Sequence, residues 1–124
     1  MTAVRDVMTT ELITVEPSTS VAAAVTVMGM QGVGAVLAME KGRLEGIFTE
    51  RDLVRAMSHD VSSSSQPVAQ WMTRNPVTVG PEASVEQALE LMLARNFRHL
   101  PVMEGESLVG VVSIRDLSAA TLRE

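Results

Sequence analysis

The chain has 124 residues, 10 Lys and Arg against 15 Asp and Glu, and a formal net charge of −5. That balance argues against sequence-independent binding to DNA or RNA, which needs a clustered basic face. The absence of cysteine excludes disulfides and thiolate metal sites and fits a reducing compartment.

The hydrophobic fraction of 46% calls for a true core. With one Trp, two Phe and no Tyr, that core must be aliphatic. The opening "MTAVRDVM" is too polar for a signal peptide, and no apolar run approaches the ~20 residues that span a bilayer. A soluble, cytoplasmic protein is expected.

In chain order, a short β run over residues 13–15 stops at Pro17, and a helix starts at Ser20. Two strands follow, "GAVLAM" and "RLEGIF", joined across Glu40-Lys41-Gly42 as a hairpin. A second helix opens at Thr49. The stretch "SHDVSSSSQP", with serines at 62–65, reads as a solvated linker. The same order then returns. A β run over 77–79 precedes a helix from Ser84, whose "SVEQ" start is a capping box. The hairpin "RHLPVM"/"SLVGVV" turns at Glu104-Gly105-Glu106, and a final helix begins at Ser113.

The second half is a copy of the first. "GIFTERDL" at 46–53 returns as "GVVSIRDL" at 110–117, an offset of 64 residues, and that offset gives 17 identities over the 50 positions from Val4 to Leu53. Chance would give two or three. The fold class is therefore α/β (α+β), two β-α-β-β-α repeats over 4–57 and 68–120 joined by a linker over 58–67. One such unit is marginal alone. Two related by a pseudo-twofold are expected to form one compact module. Met8, Met28, Met72 and Met92 repeat in register and are read as core, adaptable fillers of an aliphatic interior.

The duplicated unit, the "G-x-x-[ST]-x-x-D" that ends each copy, and the strand "RHLPV" at 98–102 resemble a tandem pair of cystathionine β-synthase (CBS) domains. The resemblance runs from Val4 to about Ala120. It implies a regulatory module that binds adenosine-containing ligands, among them AMP, ADP, ATP, S-adenosylmethionine and NAD, in clefts between paired repeats, and that assembles as a homodimer. By this resemblance each cleft mixes the two copies. One would combine Thr49 and Asp52 with Val77, Thr78, Arg98 and Pro101. The other would combine Ser113 and Asp116 with Ile13, Thr14, Ala35 and His99. Base contacts would come largely from backbone.

The motif has two physical readings. A helix N-terminus offers unpaired N–H groups and the positive end of its dipole to a phosphate. The Thr49 or Ser113 hydroxyl can add a hydrogen bond, Asp52 or Asp116 can accept from two ribose hydroxyls, and Gly46 or Gly110 leaves room for a flat base. Alternatively, Thr-x-x-Asp is a capping box with Asp in the place of Glu, which stabilises a helix without any ligand. Both can hold at once. The copies differ, since Gly34-Ala35 stand where the second has Arg98-His99, and Leu37 where it has Pro101. One competent site and one weaker site are expected, with Asp116 and His99 favoured for phosphate.

Arg51 and Arg55, four apart on a helix, read as a solvated face. Trp71 replaces Val7 of the first copy and is expected at an inter-repeat or dimer surface. His59, Asp60 and His99 do not make a metal set. No nucleophile–base pair or carboxylate pair suggests catalysis. The function expected is non-enzymatic: an adenine-nucleotide or adenosyl effector regulates a homodimer or an unknown protein partner, with no catalytic cofactor. The alternative is a ligand-free dimerisation scaffold.

Overall fold

A computed structural model describes residues 1–123 of the chain. They divide into two compact units, Ile13–Pro76 and Met1–Leu12 with the chain from Val77 onward. Each is a mixed α and β unit built on one repeat and completed by the segment that precedes the other.

In the first unit, β1 (Thr14–Val15), β2 (Ala35–Glu40), β3 (Arg43–Thr49) and β4 (Thr73–Arg74) form one sheet in that order. β1 runs parallel to β2, and β2–β3 and β3–β4 are antiparallel. The hairpin closes on Lys41 and Gly42, both at positive φ (52° and 77°), the two-residue pattern that suits the twist of the flanking strands. Helices α1 (Val21–Gln31) and α2 (Glu50–His59) complete the unit. Ser20 caps α1 by accepting from the Ala23 N–H at 3.1 Å, and Gly32 ends it in the left-handed region.

The second unit repeats this with α3 (Val85–Arg95), β5 (His99–Glu104), β6 (Ser107–Ser113) and α4 (Ile114–Arg123). The predicted "SVEQ" capping box forms: Ser84 N–H donates to Gln87 Oε1 at 2.9 Å and Gln87 N–H to Ser84 Oγ at 3.0 Å. Asn96 replaces Gly32 as the left-handed C-cap. The pairings of β1 and β4 recur as single bridges, Val79 beside Val102 and Thr9 beside Val111.

The β run expected at 77–79 is thus only a bridge, and Pro101 explains why. In the first unit Leu37 N–H donates to the Ile13 carbonyl at 3.1 Å. Pro101 stands in the place of Leu37 and has no N–H to give to Val77. The contacts that need no such donor survive: Val79 N–H to the Pro101 carbonyl at 3.1 Å, and Met103 N–H to the Val79 carbonyl at 2.9 Å.

The cores correspond at seven positions of the repeat. Val21, Ala24, Met28, Val36, Ala38, Phe48, Val68 and Met72 fill one. Val4, Val85, Ala88, Met92, Leu100, Val102, Val112, Leu117 and Ala120 fill the other. Ala38 with Phe48 in one core becomes Val102 with Val112 in the other, a volume-compensating exchange that close packing tolerates. Of the four in-register methionines, Met28, Met72 and Met92 are buried and Met8 half-buried, as core residues should be.

The serine stretch departs from expectation. Val61–Ser65 is a 3-10 helix capped by Asp60, whose Oδ1 accepts from Ser62 N–H at 2.9 Å. Ser63 is fully buried, its hydroxyl directed at the sulfur of Met57. Asp60 holds its helix end as a carboxylate, and the Ser62 N–H, with lesser help from the Ser62 side chain and His59, lowers its pKa.

Candidate functional site

Each repeat brings the residues of the duplicated motif to one end of its own sheet. In the first unit Ala35 pairs with Thr49, and Glu50 N–H donates to the Gly34 carbonyl, so β3 runs straight into α2. Ile13 and Thr14 lie at the same end, through Leu37 N–H on the Ile13 carbonyl and the Thr14–Leu37 pairing. In the second unit His99 pairs with Ser113, and Ile114 N–H donates to the Arg98 carbonyl at 2.8 Å. His99 is half-buried there and Arg98 exposed; Val77 is half-buried, Thr78 exposed and Pro101 buried. Ile13, Thr14, Ala35, Thr49 and Asp52 thus belong to one unit, and Val77, Thr78, Arg98, His99, Pro101, Ser113 and Asp116 to the other.

Both helix starts carry the capping box that the motif allowed. Thr49 N–H donates to Asp52 Oδ2 at 2.9 Å, and Asp52 N–H to Thr49 Oγ1 at 3.3 Å. Ser113 N–H donates to Asp116 Oδ2, and Asp116 N–H to Ser113 Oγ, each at 3.1 Å. Thr49 and Ser113 are therefore caps, and each Asp is fixed in its rotamer one turn into the helix. The first N–H groups of α2 and α4 with the dipole behind them remain a place where an anion is favoured.

The glycines do different work from that expected. A β-carbon on Gly46 would stand 2.7 Å from the sulfur of Met72 and 2.7 Å from the Thr73 carbonyl oxygen. One on Gly110 would stand 2.7 Å from the sulfur of Met8 and 3.0 Å from the Thr9 carbonyl oxygen. The space above each glycine is filled by the crossing Met-Thr segment, not held open for a base. Both glycines are core-packing residues.

The carboxylates differ in their surroundings. Asp52 is 7% exposed and accepts two contacts beyond the Thr49 N–H already described: Thr49 Oγ1 on Oδ2 at 3.1 Å and Arg55 Nη2 on Oδ1 at 3.3 Å. Asp116 is half-buried, accepts from Ser113 N–H, and forms no salt bridge with Lys or Arg among the described residues. Arg55, read from sequence as part of a solvated face, is tied down. Its Nη2 also reaches the Trp71 carbonyl at 2.6 Å, and its guanidinium carbon sits 5.3 Å from the Trp71 ring centre. Trp71 is half-buried within its own unit, its Nε1 donating to Gln66 Oε1 at 2.9 Å and His59 meeting its ring edge-on at 5.6 Å.

This Arg55–Trp71 network escaped the reading of the sequence. The signal was present as a break in the repeat: Arg55 and Trp71 stand where the other copy has Ala119 and Val7. Among the described residues no group of three or more His, Asp or Glu side chains is placed to hold a metal ion, and no helix is long and apolar enough to cross a membrane.

Two β-α-β-β-α units, each ending in a capped Ser/Thr-x-x-Asp helix start, define a paired-repeat class, and the comparisons give that class its family. The CBS domain pattern matches residues 4–59 and again 68–123. The CBS domain-containing protein YhcV of Bacillus subtilis is 34% identical over 118 residues, covering 95% of this chain and 84% of that protein. The CBS-domain containing protein ATU1752 of Agrobacterium tumefaciens superposes with a TM-score of 0.93 at 35% identity, covering 97% and 99% of the two chains. CBSX2, crystallised in complex with AMP, superposes with a TM-score of 0.85 at 27% identity over 99% and 98%. The chain belongs to the CBS-domain family, with two tandem CBS repeats.

Proposed function

We propose that this protein is a non-catalytic regulatory module whose effector is an adenine nucleotide or a related adenosyl compound. The observation that carries the reading is the Ser113–Asp116 helix start, where a fixed, half-buried carboxylate stands one turn from a helix N-terminus with acceptor capacity to spare. A vicinal diol suits the carboxylate, and a phosphate suits the N-terminus. The AMP bound by the related CBSX2 supports the same ligand class. The exposed Arg98 supplies cationic reach at that end of the unit, beside His99, which pairs with Ser113.

Such a ligand regulates by its different affinity for two states of the protein. A homodimer, or a partner chain that reads the bound state, carries the output. The second reading, a ligand-free scaffold, is favoured by the capping boxes themselves, because they explain Thr49 and Asp52 without any ligand. Equilibrium dialysis with labelled AMP, ATP, NAD and S-adenosylmethionine separates the two. Retention of at least one, lost in Asp116→Ala, supports the effector reading. Retention of none supports the scaffold.

A further inference from the structure

We infer that Arg55 is a lock on the first repeat's carboxylate, so that ligand engages Asp116 first and Asp52 only when Arg55 withdraws. The inference rests on the effector reading and adds to it an order of occupancy. An ionised carboxylate offers about four acceptor positions. Asp52 gives two of them on Oδ2 to Thr49 N–H and Thr49 Oγ1, and one on Oδ1 to Arg55. One position is left, too few for the two hydroxyls of a diol. Asp116, among the described residues, gives one position to Ser113 N–H. The hydroxyls follow suit: Thr49 donates its proton to Asp52, whereas Ser113 accepts from Asp116 N–H and donates to no carboxylate among the described residues.

Arg55 stays in place because it is held from three sides. It bonds the Trp71 carbonyl, covers the Trp71 ring and pairs with Asp52, while Gln66 and His59 fix the indole. The second repeat has Ala119, Val7, Thr2 and Arg123 at the positions of Arg55, Trp71, Gln66 and His59, so the lock has no counterpart there. The chain contains a single tryptophan, and it is the one beneath Arg55. Withdrawal of Arg55 is therefore reported by Trp71 fluorescence excited beyond adenine absorption.

The experiment is calorimetric and fluorescence titration with AMP, ATP and S-adenosylmethionine of the wild type, Asp52→Asn, Asp116→Asn, and Arg55→Met in the wild-type and Asp116→Asn backgrounds. The lock predicts a tight event silent in Trp71 fluorescence, abolished by Asp116→Asn and kept by Asp52→Asn. It predicts that Arg55→Met tightens the event that survives in Asp116→Asn about fivefold, the scale of a partly exposed ion pair. A tight event abolished by Asp52→Asn and kept by Asp116→Asn overturns the lock while leaving the effector reading intact. So does an Arg55→Met variant that binds no better than its parent, or worse, since Arg55 would then be a bystander or a ligand contact. A folded wild type that binds none of the probes overturns the effector reading, and the lock with it.

Discussion

The sulfur of Met72 lies 2.7 Å from the point where a β-carbon on Gly46 would stand, and Met8 stands in the same relation to Gly110. The duplicated glycine is thus explained by a crossing segment that packs flush on the strand. Gly46→Ala also meets the Thr73 carbonyl oxygen at 2.7 Å, which cannot retreat without disturbing the β3–β4 pairing. We expect a loss of about 1–3 kcal/mol, the usual cost of overpacking. Gly110→Ala should cost less, because the backbone oxygen there stands at 3.0 Å. Gly80→Ala, with nothing within 4 Å, should stay within about 0.5 kcal/mol. Urea midpoints of the three variants decide the ranking.

Phe48 and Leu117, each fully buried, anchor the two cores. Phe48→Ala should cost about 3–5 kcal/mol and Leu117→Ala about 2–5, large fractions of the ~5–15 kcal/mol that holds a domain folded. Far-ultraviolet circular dichroism during urea unfolding reads both. A loss below about 1 kcal/mol in either would contradict its placement.

Ser84→Ala removes the acceptor for Gln87 N–H at the start of α3. About 1 kcal/mol of stability should go with it, while Ser84→Asp should keep most of it. Equal loss in both variants would mean that the hydroxyl is not acting as a cap.

Asp60 makes stability depend on pH. Its pKa is lowered in the folded state, first by the Ser62 N–H, so folding favours the carboxylate. The contribution is present above the unfolded pKa and is lost as pH falls through the lower, folded one. Wild type should therefore exceed Asp60→Ala in denaturant midpoint at neutral pH, and the gap should shrink at progressively lower acidic pH. A gap that widens on acidification would reverse the assignment.

The repeat made most of the fold legible, because a fixed offset of 64 residues carries helix starts, turns and core positions together. Ser84 and Gln87 announced their capping box by residue type alone. Three features were hidden. The shortened strand at 77–79 follows from the missing N–H of Pro101, a deficit that appears only once its partner is known. Burial of Ser63 in a run of serines depends on its tertiary neighbour Met57, against a local composition that favours solvent. The Arg55–Trp71 contact joins residues 16 apart that have no equivalents in the other copy, so the periodicity that revealed the rest was blind to it. At the candidate site, the capping boxes of Thr49 with Asp52 and of Ser113 with Asp116 were legible from their spacing. The role of the two glycines needed the crossing segments in place.

The most direct test of the central claim is thermal unfolding of protein first shown to be nucleotide-free, with and without AMP, ADP, ATP, NAD and S-adenosylmethionine. A ligand at about 100 times its dissociation constant adds ~2.7 kcal/mol to the folded state, which for a domain of this size raises the midpoint by roughly 5–15 °C. The account predicts such a rise for at least one of the five compounds, and its loss in Asp116→Ala. Midpoints unmoved by all five, or a rise that persists undiminished in Asp116→Ala and Asp52→Ala alike, would contradict it.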